Sequence, residues 1–228
     1  MKLNARNVLI LGALGIATGL VGCVTNPDTR AGTEQELRTV NVTISNFQRD
    51  PDMTWFRDHL KDARAIIISP SITRAGFVFG GKGGEAVVLS RDRTSGQWVG
   101  PAFYNMGAGS VGFQIGVDVS EVVMLVMTEK AVNALLSSSF KLGGDISVAA
   151  GPVGAGAGSN ITADVISFAR AKGVYAGVSL EGAVIAPDNK ANEAFYGRTA
   201  SPVDILVRRN VESPASLSLR QSLSRVSG

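Results

Sequence analysis

Few residues of this chain are of types that do chemistry, and their spacing decides which reactions are open to them. Gly76 to Lys82 matches G-x-x-x-x-G-K, the spacing of a phosphate-cradling loop. Such a loop needs Ser or Thr after the lysine to hold a metal ion, and Gly83 stands there. The residues after Gly83 read as a strand, not as the helix whose N-terminus would bind phosphate. Both departures argue against nucleotide hydrolysis. Gly109-Ser110-Val111-Gly112 has the outline of a nucleophile elbow, but Ala108 takes the first glycine position and Ser110 opens an alternating strand. The one histidine, His59, precedes both Ser110 and Ser179, against the hydrolase order of serine, acid, histidine. A hydrolase built on either serine with His59 is therefore the least favoured reading. Glu181 is an isolated acid in Ser179-Leu180-Glu181-Gly182 whose burial would raise its pKa. Accepting backbone or arginine hydrogen bonds is the simpler role for it. No His pair, Cys pair or EF-hand loop offers a metal site, and no cofactor is implied.

The one cysteine, Cys23, is the residue with the clearest chemical context. Met1 to Asn7 carries Lys2 and Arg6 and no acid, and Val8 to Val21 is apolar apart from Thr18 and small residues. The apolar run is roughly 14 residues, short of the roughly 20 that span a bilayer, and no charged stop-transfer flank comes after it. An export signal fits it better than an anchor helix. Leu20-Val21-Gly22-Cys23 resembles the bacterial lipobox, in which the thiol takes a diacylglyceryl group and the peptidase cuts before it. That chemistry needs a thiol at this position, and Gly22 leaves the cleavage subsite uncrowded. The resemblance implies a lipid-anchored chain in the bacterial cell envelope. Val24 in place of the Asp that retains lipoproteins in the inner membrane favours the outer membrane, facing the periplasm.

A single cysteine excludes an intramolecular disulfide, so an exported domain must be held by its core alone. Removal of residues 1–22 leaves about 205 residues, enough for a sizeable core. The formal charge of +3 falls to +1 once Lys2 and Arg6 leave, with 20 bases against 19 acids. Nucleic acid is not an expected partner at that balance. The 27 glycines point to closely approaching or curved strands.

These residues need elements to position them. Residues 23–32 read as a lipidated tether. Thr33-Glu34-Gln35-Glu36 has the form of a capping box, and Leu37, Val40, Val42, Ile44 and Phe47 supply an apolar helix face. Asp50-Pro51-Asp52 starts a second helix carrying Trp55, Phe56, Leu60 and Ala63. From Arg64 the period becomes that of strands: Ala65 to Ile68, ended by Pro70, then Ala86 to Leu89, then Trp98 to Tyr104 around Pro101. Ser110 to Ser120 alternates most cleanly, with Val111, Phe113, Ile115, Val117 and Val119 on the core face. Val122 to Met127 reads as a strand covered on both sides, and Thr128 as the N-cap of a short helix. Ile146 to Ala150, Ile161 to Ala169 and Gly173 to Ile185 add strands. Asn189 to Tyr196 and Pro202 to Val207 read as closing helices, and residues 209–228 as a disordered tail. Strands in succession with helices grouped at the N- and C-terminal ends predict an α+β fold, a curved, largely antiparallel, barrel-like sheet. Residues 33–208 form one domain, with its core at 63–208.

At Ile66-Ile67-Ile68-Ser69-Pro70, Ala75-Gly76-Phe77-Val78-Phe79-Gly80-Gly81, Trp98 to Phe103, Gly109 to Gly116, Ser147 to Gly154, Gly177 to Gly182 and Tyr196-Gly197-Arg198, the chain resembles the SYLF domain. The resemblance covers Ala63 to Arg208. It implies a non-catalytic module that binds phosphoinositides or other anionic lipids, and actin in some eukaryotic members. It carries over no set of ligand residues. Basic side chains beside glycine turns are the physical candidates for headgroup binding, namely Arg74, Lys82, Arg91 and Arg93, since Lys and Arg pair with phosphates. The expected partners are membrane lipids, through the acyl anchor at Cys23 and through anionic headgroups. A protein partner in the envelope is the alternative.

Overall fold

A computed structural model describes residues 28–76, 79–111, 116–154, 161–171, 174–175 and 179–227. The export signal, Cys23 and the tether up to Pro27 lie outside these residues. So do Phe77, Val78, residues 112–115, the glycine-rich residues 155–160, residues 172–173 and 176–178, and Gly228.

The sheet is built from β1 (Ala65–Gly76), β2 (Phe79–Arg91), β3 (Trp98–Val111), β4 (Gly116–Val126), β5 (Phe140–Lys141), β6 (Val148–Ala150), β7 (Val165–Ala171), β8 (Val174–Tyr175) and β9 (Val184–Pro187). Their order is β5-β9-β3-β2-β1-β4-β7-β6, with β8 also on β7, and among the described residues only the β6–β7 ladder is parallel. The sheet curls into an open half-barrel. This is the curved, largely antiparallel α+β architecture that the pattern predicts.

Both faces of the central strands are covered, which is why Ile66-Ile67-Ile68, Ala86 to Leu89 and Val122 to Val126 are unbroken apolar runs. On the outer face, Ile66, Ile68, Val87, Leu89, Phe103, Val123, Leu125 and Phe168 pack with residues of the terminal helices. On the inner face, Ala65, Ile67, Ala86, Val88, Tyr104, Val122 and Met124 pack with Ala131, Leu135, Phe140, Leu180, Ile205 and Leu206. One-residue alternation along each strand deals side chains to the two cores in turn.

The outer helices are α1 (Arg30–Arg49), α2 (Thr54–His59), α4 (Asn189–Tyr196) and α5 (Leu217–Ser227), while α3 (Glu129–Leu135) serves the inner face. Helix α1 begins earlier than the expected capping box. Thr29 is the N-cap, its Oγ1 accepting from Gly32 N at 3.0 Å, and Thr33 Oγ1 instead donates to the Arg30 carbonyl. Leu37, Val40, Ile44 and Phe47 form the buried stripe, but Val42 is 58% exposed. Two positions from both Val40 and Ile44, it falls on the opposite side of the helix. Trp55, Phe56, Leu60 and Ala63 are buried as expected, and Thr128 caps α3 through Ala131 N.

Three further expectations are corrected. Pro70 does not end β1, because a bulge between Ile68 and Thr73 lets the strand run on to Gly76. Ser110 to Ser120 is not one strand. Ser110 and Val111 end β3 beside β2, whereas Gly116 to Ser120 begin β4 beside β1, so the alternation runs through a connection between strands that are not neighbours. Val119, assigned to the core face, is 48% exposed. Finally, residues 209–227 are not a disordered tail: Leu219 and Leu223 of α5 are buried in the outer core. Their i, i+4 spacing was the available signal, masked by the serines around them. The helix expected over Pro202 to Val207 is present, its residues Asp204–Arg208 wound as a π turn.

Candidate anionic-ligand site

The strand register decides which nominated cations share a location. Arg74 of β1 stands directly opposite Lys82 of β2, and on its other side opposite Asp118 of β4. Lys82 is in turn opposite Ala108 of β3. With Ile72, Ala86 and Met106 in the inner core, the alternation places Arg74 and Lys82 on the inner face, beyond the end of that core. Lys82 Nζ donates to the Ser179 carbonyl. Burial, and then the charge of Arg74, lower the Lys82 pKa from its ordinary value. Two like charges directly opposite on an antiparallel pair are unfavourable, so an anion between them relieves a repulsion already present.

Arg91 and Arg93 lie elsewhere. Nine residues of strand separate Lys82 from Arg91, about 30 Å at 3.3 Å per residue. Arg91 Nε donates to the Gly96 carbonyl at 3.0 Å, its NH1 donates to the Lys61 carbonyl, and its guanidinium lies 6.0 Å from the Trp98 ring centroid. Arg93 pairs with Glu129, which Arg64 also engages. These two arginines knit the β2–β3 turn to its surroundings, and the four cations do not converge on one ligand.

The catalytic candidates are likewise placed apart. Gly76 and Gly80 face each other across the β1–β2 ladder, and Lys82 continues in β2, so the described residues of the G-x-x-x-x-G-K stretch are paired strand and β2 leads into no helix. His59 stacks on Trp55 at 3.8 Å between ring centroids, on an outer-face helix. Ser179 adjoins Leu180, which belongs to the inner core, so the sheet separates it from His59. Glu181 is exposed rather than buried in a strand. Among the described residues no group of three His, Cys, Asp or Glu is placed to hold a metal ion.

Sequence reasoning missed a charged locus on the outer face. Glu36 of α1 is 8% exposed and its Oε1 has no hydrogen-bond partner. Burial, then the charges of Glu85 and Asp188, push its pKa up to about 8. Glu85 is raised by burial and by Asp188 and Asp28. Asp188 is occupied as the N-cap of α4 and accepts from Asn105 Nδ2 at 2.7 Å. The capping-box pattern concealed Glu36, because it gave that residue a role at a helix start that lies four residues upstream.

Comparison with known proteins adds to this geometry. A family model described as "Ysc84: Las17-binding protein actin regulator" matches residues 107–226, just over half of the chain and including α5. LAS seventeen-binding protein 3 of Saccharomyces cerevisiae is 34% identical over 165 residues, 69% of this chain and 36% of its own length. Protein YSC84 of the same yeast is 33% identical over 164 residues, 69% of this chain and 35% of its own. The SH3 domain-containing YSC84-like protein 1 of Mus musculus is 33% identical over 141 residues, 60% of this chain and 41% of its own. The chain thus spans about two fifths or less of the curated relatives it matches. The name of the first records a binding protein. On this match the chain belongs to the Ysc84 family, the SYLF-domain proteins.

Proposed function

We propose that this protein is a non-catalytic, lipid-anchored component of the bacterial cell envelope whose Ysc84-family domain binds anionic lipid headgroups. Acylation at Cys23 supplies attachment, at the outer membrane and facing the periplasm. The domain's own affinity then serves recognition or a second membrane contact, because more than one acyl chain at about 0.8 kcal/mol per buried CH₂ already anchors the chain. The observation that carries the reading is the Arg74–Lys82 pair, two cations opposed across one ladder with the Lys82 charge already disfavoured.

The test is sedimentation of the full chain carrying Cys23→Ser, which abolishes acylation, with phosphatidylglycerol-containing and with purely zwitterionic vesicles at low salt, where the electrostatic contribution is largest. Preferential binding to the anionic vesicles is expected. Equal binding to both compositions removes the headgroup reading.

A protein-interaction module of the envelope is the second reading. It is favoured by the family description and by the name of one yeast relative, which record Las17 as a bound protein. It would leave the Arg74–Lys82 end without a lipid role, and the same vesicle comparison separates the two.

A further inference from the structure

The folded C-terminal segment creates a cleft that no motif announces. Residues 209–220 return against the β2–β3 turn and enclose about 140 Å³ between Ser95, Gln97, Gly100, Arg209, Glu212 and Arg220. Two arginines thus line one small cleft from positions 11 apart in sequence, one before and one within α5.

Each arginine is held in place. Arg220 Nε donates to the Trp98 carbonyl at 2.8 Å, which fixes the plane of the guanidinium and leaves two NH₂ groups for a further acceptor. Arg209 has φ 56° and ψ 35°, the one non-glycine residue in the left-handed region among the described residues. Its backbone N–H closes the preceding turn on the Asp204 carbonyl, and its guanidinium pairs with Asp92. Asp92 is itself fixed by the Ser95 and Thr94 backbone N–H groups and by the Ser95 hydroxyl. A side chain forced into an unfavourable backbone conformation and then buttressed is a feature that clusters at ligand sites. Fork-shaped donors of this kind suit tetrahedral and planar oxyanions. Asp92 on Arg209 and Glu212 in the lining together offset the two arginine charges, so the cleft suits a singly charged phosphodiester better than a polyphosphate.

We propose that the Arg209–Arg220 cleft binds one phosphate group, carried by a lipid headgroup or free in solution. The inference deepens the anionic-ligand reading above and rests on it for the class of ligand, but places a second contact about one strand length from Arg74 and Lys82.

The experiment measures binding of inorganic phosphate, by titration followed in ¹H–¹⁵N spectra, and of phosphatidylglycerol vesicles to the full chain carrying Cys23→Ser. The variants are Arg209→Gly, which removes the cation while relieving the positive φ, Arg220→Gln, Glu212→Gln, and Arg225→Gln as a control outside the cleft. Loss of charge-assisted hydrogen bonds predicts at least about tenfold weaker binding for Arg209→Gly and Arg220→Gln, tighter binding for Glu212→Gln, and no change for Arg225→Gln. Phosphate signals confined to residues 95–100 and 209–220 support the cleft. Their persistence with vesicles makes a headgroup the occupant, and their absence with vesicles makes it free phosphate. Unchanged affinity in Arg209→Gly, Arg220→Gln and Glu212→Gln overturns the proposal. If vesicle binding then still depends on Arg74 and Lys82, the lipid reading stands without the cleft; if the parent chain binds neither probe, both fall.

Discussion

Arg74 and Lys82 occupy directly opposed positions on β1 and β2, and the second cation is set in a site that already disfavours its charge. Neither effect needs a ligand to exist, yet both are relieved by one. Replacing Arg74 by Ala removes the repulsion and leaves only burial, so the Lys82 pKa is expected to move up toward the ordinary lysine value. ¹³C-detected titration of lysine side chains in wild type and Arg74→Ala reads this directly, and an unshifted Lys82 signal would show that the two cations do not interact.

Glu36 makes the fold pH-dependent. Its folded-state pKa of about 8 lies above the ordinary carboxylate value of 4.5, so between these limits the native state keeps a proton that the unfolded chain has released. Stability therefore falls as pH rises through that window and levels off above about 8. Glu85, raised for related reasons, acts in the same direction. Glu36→Gln should flatten the profile and stabilise the protein by a few kcal/mol at pH 8. Urea unfolding of both proteins at pH 5 and pH 8 measures the difference; parallel profiles would place the pH dependence elsewhere.

A second network joins the end of α1 to the sheet. Arg170 Nε reaches Asp50 Oδ2 at 2.8 Å and its NH1 reaches Glu121 Oε2 at 3.1 Å, while Glu121 Oε1 accepts from Thr43 and Asn46 of α1. Arg170 and Asp50 are largely buried, so removing the arginine strands two carboxylates without their partner. Arg170→Met is expected to cost about 3–5 kcal/mol in unfolding free energy. A cost below ~1 kcal/mol would mean that the network is solvated.

Two glycines of the same ribbon should respond in opposite ways to an added methyl. At Gly84 a Cβ would stand 2.2 Å from the Ser71 carbonyl oxygen, where the β1 bulge brings backbone close, whereas at Gly109 it meets nothing within 4 Å. Gly84→Ala should lose about 1–3 kcal/mol or more, and Gly109→Ala should stay within ~0.5 kcal/mol of wild type. Thermal unfolding of the pair distinguishes a close-packed bulge from a loosely built one.

Leu223 tests whether the C-terminal segment belongs to the domain. It is fully buried in the outer core, and truncating it to Ala should cost about 2–5 kcal/mol. A disordered tail would show no effect.

The central strands were legible because burial on both faces writes itself as continuous apolar runs, as at Ile66 to Ile68 and Val122 to Val126. The cap at Thr128 was equally readable, since a side-chain oxygen before a helix has a local mechanism. What failed was information carried by pairing. Residues 110–120 alternate without a break although their two ends belong to strands separated by a hairpin, and no single-chain period can report a neighbour. The candidate site was half legible for the same reason. Residue type nominated Arg74, Lys82, Arg91 and Arg93 together, but only the β1–β2 register shows that the first two are opposed and that the others lie a strand length away. Arg209 and Arg220 were hidden in a serine-rich stretch whose helical spacing rests on Leu219 and Leu223.

The most direct measurement is flotation of the full chain carrying Cys23→Ser with phosphatidylglycerol vesicles at low and at raised ionic strength, with and without Arg74→Ala and Lys82→Ala together. A headgroup site at the Arg74–Lys82 pair predicts anionic binding that weakens with salt and is largely lost in the double variant, with the melting temperature retained. Binding that is indifferent both to salt and to the loss of Arg74 and Lys82 would contradict it.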